Sequence, residues 1–260
     1  VRKAVLHVVG DTSGFISTGT HHIYRDVLSG YSLVEGIYNL KQTGTGTNIY
    51  LNIDSEVNKI AYNALGDYNG VVAVYNYKTG ETVCMVSAPT YDPENKPTDI
   101  NSGADKYNGI YLNRAISGVF TPGSTFKVVT AIAAIENIPD LSTRKFTCKG
   151  KYETGVGEVI CNGVHGTVSF ERGLNVSCNC VFAELANEVG KNVLTQTVRD
   201  LGFGKNVTIS KATAVRSTFD VSKSTKLDLG WAGIDFGKDM PATEFVGYTT
   251  LTSEAKILAL

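Results

Sequence analysis

The 260-residue chain carries no surplus of either charge. Its 24 basic and 25 acidic residues leave a net charge of −1. That balance excludes the basic field that holds nucleic acid or an anionic membrane, so no nucleic-acid partner is expected. No apolar run approaches the roughly 18 residues of a membrane span. Histidine is scarce, at four residues (His7, His21, His22, His165), and the five cysteines (Cys84, Cys148, Cys161, Cys178, Cys180) include no CxxC pair. Spacing alone therefore offers no metal site, and no cofactor is expected. The adjacent His21 and His22 fall in a polar stretch and read as plain surface. Repeats, low-complexity tracts and heptads are missing too. What is present is a globular composition, 42% hydrophobic and 19% charged, enough for one large domain or a domain plus a fragment.

The opening VRKAVLHVV reads as a strand and the closing SEAKILAL as the end of a helix from about Thr252, and both ends read as cuts. Residues 1–45 are rich in Gly, Ser and Thr; GDTSGFISTGTHH and QTGTGTN read as loops. NIYLNID alternates like a short strand. Asp54 then stands where a cap belongs, ahead of the amphipathic run SEVNKIAYNAL. VVAVYNY and ETVCMVSA, joined through Lys78-Thr79-Gly80, predict a hairpin. FTCKGKYETGVGEVICNG predicts another. Residues 168–176, 179–189 and 191–201 read as helices.

The chemistry concentrates in TPGSTFK, residues 121–127, which opens the apolar run VVTAIAAIE. A helix with so little wet face belongs in a core. A lysine in its first turn must then find partners or lose its proton. Ser-x-x-Lys occurs three times, at Ser124/Lys127, Ser142/Lys145 and Ser253/Lys256. The second lies in the polar turn LSTRK, and the third looks like an ordinary helix start. Only at Ser124 does Pro122-Gly123 break the chain just ahead of a buried helix. There the helix dipole favours negative charge on the serine oxygen, and the i, i+3 spacing puts the lysine amine within reach of the hydroxyl. A dried, neutral amine can take the serine proton, which makes an activated nucleophile. A serine cap beside an outward-reaching lysine fits the local sequence equally well. Ser177-Cys178-Asn179, the one Ser-x-Asn in the chain, adds a hydroxyl able to relay a proton and an amide able to hold a peptide group.

GVFTPGSTFKVVTAIAAIE, VHGTVSFERGLNVSCNCVFAELA, the hairpin VVAVYNYKTGETVCMVSAPTYDPE and LNRAISGVFTPGSTFK together resemble the transpeptidase domain of penicillin-binding proteins, closest to the monofunctional class B enzymes. The resemblance is best over residues 48–205. It implies an α/β fold of the α+β type, an antiparallel sheet flanked by helices, with C-terminal strands lying outside this chain. Residues 1–45 would be a partial linker or pedestal segment and 46–260 an incomplete transpeptidase domain. The function implied is a peptidoglycan D,D-transpeptidase that cross-links stem peptides and is acylated by β-lactams. Ser124 would be the nucleophile, Lys127 its base, Ser177 a proton shuttle and Asn179 a donor-peptide ligand. The Ser124 backbone N–H would supply half of an oxyanion hole.

Peptidoglycan stem peptides, β-lactams and other cell-wall synthesis proteins are the partners implied. The place of work would be the extracytoplasmic face of the bacterial membrane, with an N-terminal anchoring helix absent from this chain. The family's Lys-Ser/Thr-Gly motif follows Ser-x-Asn in chain order, so Lys78-Thr79-Gly80 is read as a hairpin turn and the third motif is expected beyond Leu260. Cys148 and Cys161, at comparable distances from a predicted turn, are candidates for a disulfide in a family that works outside the cytoplasm. The alternatives are a serine β-lactamase or β-lactam sensor, for which Glu171 and Glu184 are the unplaced candidate water-activating bases, and a non-catalytic wall-binding scaffold.

Overall fold

Asp54 caps its helix as its position predicts. In the computed structural model, which describes residues 1–32, 37–38, 47–235 and 240–241, its carboxylate accepts from the N–H groups of Glu56 and Val57 at the start of helix Ser55–Leu65. Asn58, fully buried on that helix, donates to the Asp54 carbonyl and accepts from the Met85 N–H at 3.0 Å. One side chain thus ties the helix to the hairpin Gly70–Tyr75/Thr82–Ala88. The hairpin is antiparallel, with Val72 opposite Val86 and Val74 opposite Cys84. These elements belong to a unit built on Val1–Gly118 and Asn206–Val215, while a second unit is built on Val119–Lys205 and Arg216–Met240. Helices against antiparallel strand pairs make the mixed α/β composition expected of the α+β type.

Several local expectations change. The chain opens on a helix, Arg2–Val9, not a strand. Ala4, Leu6 and His7 bury one helical face, and His7 Nε2 reaches the Ile110 carbonyl at 2.9 Å. Burial lowers the His7 pKa to about 4, so that ring is neutral. NIYLNID forms no strand: Tyr50 is 88% exposed, and alternation with no partner strand gives nothing to pair with. The helix read over 168–176 is shorter. Gly166–Ser169 is a strand, and Ser169 caps helix Phe170–Asn175. The two helices read on either side of residue 190 are both present: the run Asn179–Asp200 breaks between them at Gly190, where φ is +78°. The helix from Thr252 and the Ser253/Lys256 pair lie outside the described residues, as does most of QTGTGTN.

In the second unit the predicted hairpin is a nested pair of ladders. Lys145–Cys148 pairs with Gly166–Ser169, and inside it Lys151–Glu153 pairs with Glu158–Ile160, both antiparallel. Phe146, Val159, Phe182 and Leu185 fill the core between these strands, the helix Lys127–Asn137 and the long helix Asn179–Asp200. The Lys127 helix is buried along most of its length, although Ile135 is 62% exposed.

Small residues set how closely helix Lys226–Ala232 meets the long helix. A Cβ on Gly233 would stand 2.3 Å from the Ala186 Cβ, and the Gly233 carbonyl accepts from Thr130 Oγ1 at 2.7 Å. Gly233→Ala must therefore push one of three packed segments aside. We expect it to destabilise this unit by about 1–3 kcal/mol, read as a lowered midpoint in urea unfolding. An unchanged midpoint would show that the contact relaxes freely.

Candidate active site

Pro122-Gly123 turns the chain into a short 3-10 segment, Gly123–Phe126, and the α-helix begins at Lys127. Gly123 holds φ +59°, which a glycine adopts without penalty. Phe126 is fully buried and stacks on Phe219 at 5.6 Å, which fixes the turn, while Ser124 faces outward. Lys127 is only 1% exposed. Its amine lies 3.1 Å from Ser124 Oγ, 2.7 Å from Ser177 Oγ, 2.8 Å from the Ser177 carbonyl and 2.8 Å from Asn179 Oδ1. All four predicted site residues are therefore brought to one point, the lysine nitrogen.

The partner set bears on the proton count. The Ser177 carbonyl and Asn179 Oδ1 can only accept. Asn179 Nδ2 donates to the Ile160 carbonyl at 2.9 Å, which fixes which end of the amide faces the lysine. The other two partners are hydroxyls, which donate or accept. A neutral amine fits three of the four at a time: two N–H groups go to the obligate acceptors, and the lone pair receives a proton from one of the two hydroxyls. Burial pushes the Lys127 pKa below its ordinary value of 10.5, against the opposing pull of Cys161, Cys178 and Asp235.

Ser177 adopts φ +53°, in the left-handed region that a serine rarely visits. Its carbonyl and its side chain both reach Lys127 from that conformation. Bonds from the Ser177 N–H to Leu174 O and from the Cys178 N–H to Gly173 O hold the turn. Asn179 follows in the first turn of the long helix, whose cap residue is Cys178.

Four sulphurs lie just behind this network. The Sγ atoms of Cys148, Cys161, Cys178 and Cys180 all lie within 4.8 Å of one another. Cys148 and Cys180 approach to 3.5 Å and Cys161 and Cys178 to 3.8 Å, with His165 Nδ1 at 3.5 Å from Cys148 and 3.6 Å from Cys161. Every cysteine is a free thiol, so the Cys148–Cys161 disulfide is not formed. Each has a different cysteine as its near neighbour, because the inner ladder carries Cys161 past Cys148 toward the start of the long helix. Burial acts to raise the Cys161 thiol, but the N–H groups of Cys180, Gly163 and Asn179 outweigh it and bring that thiol down to about 6. Burial pushes the Cys178 thiol up to about 12. Spacing alone offers no metal site, yet the fold brings these four sulphurs together. The signal that was present is Cys178-x-Cys180 at a helix start, but strand register alone brings Cys148 and Cys161 to it.

The other candidates lie elsewhere. Lys145 of the Ser142/Lys145 pair is exposed at the start of a strand. Lys78-Thr79-Gly80 is the turn of the first unit's hairpin, with Asn76 accepting from the Lys78 and Thr79 N–H groups and Gly80 at φ +76°. Glu171 is exposed on its short helix, and Glu184 faces Arg144 at 3.7 Å. His21 and His22 sit in the short helix Thr20–Ile23. In Asn113-Arg114-Ala115 the Asn113 side chain accepts from the Ala115 N–H, and Arg114 holds the Gly109 and Asn108 carbonyls, which braces a turn of the first unit.

The family described as the penicillin binding protein transpeptidase domain matches residues 70–237. The chain belongs to the penicillin-binding protein transpeptidase family. The match spans the Lys127 network and all four clustered cysteines. Among curated relatives, the peptidoglycan D,D-transpeptidase MrdA of Acinetobacter baumannii is 28% identical over 218 residues, covering 72% of this chain and 31% of the relative. Stage V sporulation protein D of Bacillus subtilis is 34% identical over 175 residues, covering 63% and 26%. The chain thus spans less than a third of the length of these two relatives. Penicillin-binding protein A of M. tuberculosis, solved as its penicillin G acyl-enzyme, superposes with a TM-score of 0.79 over 96% of this chain and 63% of that one, at 21% identity. At that identity the likeness establishes the transpeptidase fold.

Proposed function

We propose that this chain carries the acylating half of a peptidoglycan D,D-transpeptidase. The observation that supports it most is the Lys127 amine, buried and within 3.1 Å of an outward-facing serine hydroxyl. Ser124 Oγ attacks the carbonyl of the penultimate D-Ala of a stem peptide as its proton passes to the Lys127 lone pair. The Ser124 N–H supplies half of the oxyanion hole. Collapse of the tetrahedral intermediate breaks the amide bond and expels D-Ala, whose nitrogen takes a proton relayed from Lys127 through Ser177. An amine of a neighbouring strand then attacks the ester, and the serine recovers its proton. Asn179 orients the donor peptide and holds Lys127 in place. β-Lactams present the same carbonyl to Ser124 and stop at the ester.

The division into a linker or pedestal over residues 1–45 and a transpeptidase domain over 46–260 belongs to the same proposal. So do an extracytoplasmic place of work, a membrane anchor outside these residues, and association with other wall-synthesis proteins. Among the described residues no helix is long and apolar enough to cross a membrane.

The lifetime of the acyl-enzyme separates this reading from a hydrolase. The two glutamates considered as water-activating bases are engaged elsewhere, Glu184 with Arg144 and Glu171 in its own exposed helix turn. A fluorescent penicillin on the intact protein is therefore expected to give an adduct that persists for hours and is retained through gel separation. Rapid release of hydrolysed penicillin, with no adduct accumulating, would point to a β-lactamase instead.

A further inference from the structure

We propose that Cys148, Cys161, Cys178 and Cys180 form a tetrathiolate site for one zinc ion, and that this ion holds the Ser177-Cys178-Asn179 turn against Lys127. Zinc–sulphur bonds of about 2.3 Å in a tetrahedron place the sulphurs about 3.8 Å apart. The two closest pairs here stand at 3.5 and 3.8 Å, and every pair lies within 4.8 Å. The four sulphurs come from three separate places: the end of the outer ladder (Cys148), the residue after the inner ladder (Cys161) and the start of the long helix (Cys178, Cys180). Three of the four cysteines are fully or almost fully buried.

Two disulfides would need only two close pairs. A common centre within bonding reach of all four sulphurs is what a single ion requires. A soft, four-coordinate sulphur cage with no carboxylate selects zinc or iron over hard cations. On binding, each thiol gives its proton to solvent and each sulphur donates a lone pair to the ion, with no change of oxidation state. The Asn179 N–H donates to Cys161 Sγ at 3.3 Å, and His165 Nδ1 lies beside two of the sulphurs, so outer partners for thiolate charge are already in place.

The second half of the proposal rests on the acyl-transfer reading above. The long helix starts at Cys178 without any side-chain cap bond, and Ser177 just before it is held at φ +53°. Such a conformation persists only where the surroundings over-determine it. Two ligands flanking Asn179, joined through the ion to the ladder cysteines, would add to the constraint that the Ser177 and Cys178 backbone bonds supply.

The test uses the intact protein, purified without added metal or chelator. Elemental analysis is expected to find one zinc per chain. After chelator treatment under reducing conditions, added Co2+ is expected to give the visible absorption of a tetrahedral thiolate site, and zinc is expected to displace it. Neither measurement needs a variant that folds. Cys161→Ser, at the most accessible of the four positions, is expected to lose the metal at lower chelator concentration. Acylation by a fluorescent penicillin is expected to slow about tenfold or more in the stripped protein and to recover when Zn2+ is returned.

A metal-free protein with four titratable thiols or two disulfides overturns the site, as does stoichiometric iron in place of zinc. An acylation rate indifferent to zinc removal overturns the positioning role. Stoichiometric zinc in a protein that no penicillin acylates sinks the acyl-transfer reading and leaves the metal site standing. Acylation without zinc does the reverse.

Discussion

Ser124→Ala is expected to abolish labelling by a fluorescent penicillin without unfolding the protein. The distances alone do not single out this hydroxyl, because Ser177 Oγ stands closer to the lysine amine, at 2.7 Å against 3.1 Å. Exposure does. Ser124 faces outward from a 3-10 turn at the head of a buried helix, whereas Ser177 is half-buried with its carbonyl engaged as well. An electrophile arriving from solvent meets Ser124. Removing one hydroxyl leaves Lys127 three of its four partners, so no buried charge or donor is orphaned. The change in stability should stay within about 1 kcal/mol. Intact-mass measurement after penicillin treatment, with thermal unfolding alongside, checks both halves. An adduct retained by the alanine variant would move the nucleophile elsewhere, with Ser177 the first place to look.

Lys127→Met should lower the acylation rate by about 10²–10⁴-fold, the contribution ordinary for a positioned base. Methionine keeps much of the volume and removes the lone pair. Lys127→Arg is the sharper control. Arginine keeps the donors but stays charged because it cannot give up its proton, so it is expected to rescue neither the rate nor its pH dependence.

The sign of that dependence follows from burial. Desolvation lowers the lysine pKa from 10.5, so the neutral amine appears at lower pH than for an exposed lysine. The acylation rate should rise with pH through this lowered value and reach its plateau at a lower pH than an exposed lysine would give. A rate still climbing at pH 10.5, or one flat across the whole range, would remove Lys127 from the role of base.

Much of this site is legible in the sequence because its chemistry is local. Ser124 and Lys127 sit three residues apart, a Pro-Gly break lies just ahead, and the apolar run that follows can only be a buried helix. Asp54, the hairpin through Lys78-Thr79-Gly80 and the interruption at Gly190 are similarly short-range, each set by one residue's backbone or side-chain preference. The opening helix was misread because nine residues with valine at both ends carry too little period to separate 3.6 from 2. NIYLNID was misread because alternation describes a strand only when a partner exists.

The sequence by itself determined which residue types stand where the proposed acyl-transfer chemistry needs them, and left open whether the lysine is buried or reaches outward; its burial came from the structure. Only the tertiary structure decided that Ser177 and Asn179 meet that lysine, and that four cysteines scattered from 148 to 180 share one point. The reason is physical. Contacts within a helical turn follow from spacing. The meeting of two nested ladders with the start of a distant helix depends on strand register, which one added residue would shift, turning the ladder cysteines Cys148 and Cys161 away from the helix start that carries Cys178 and Cys180.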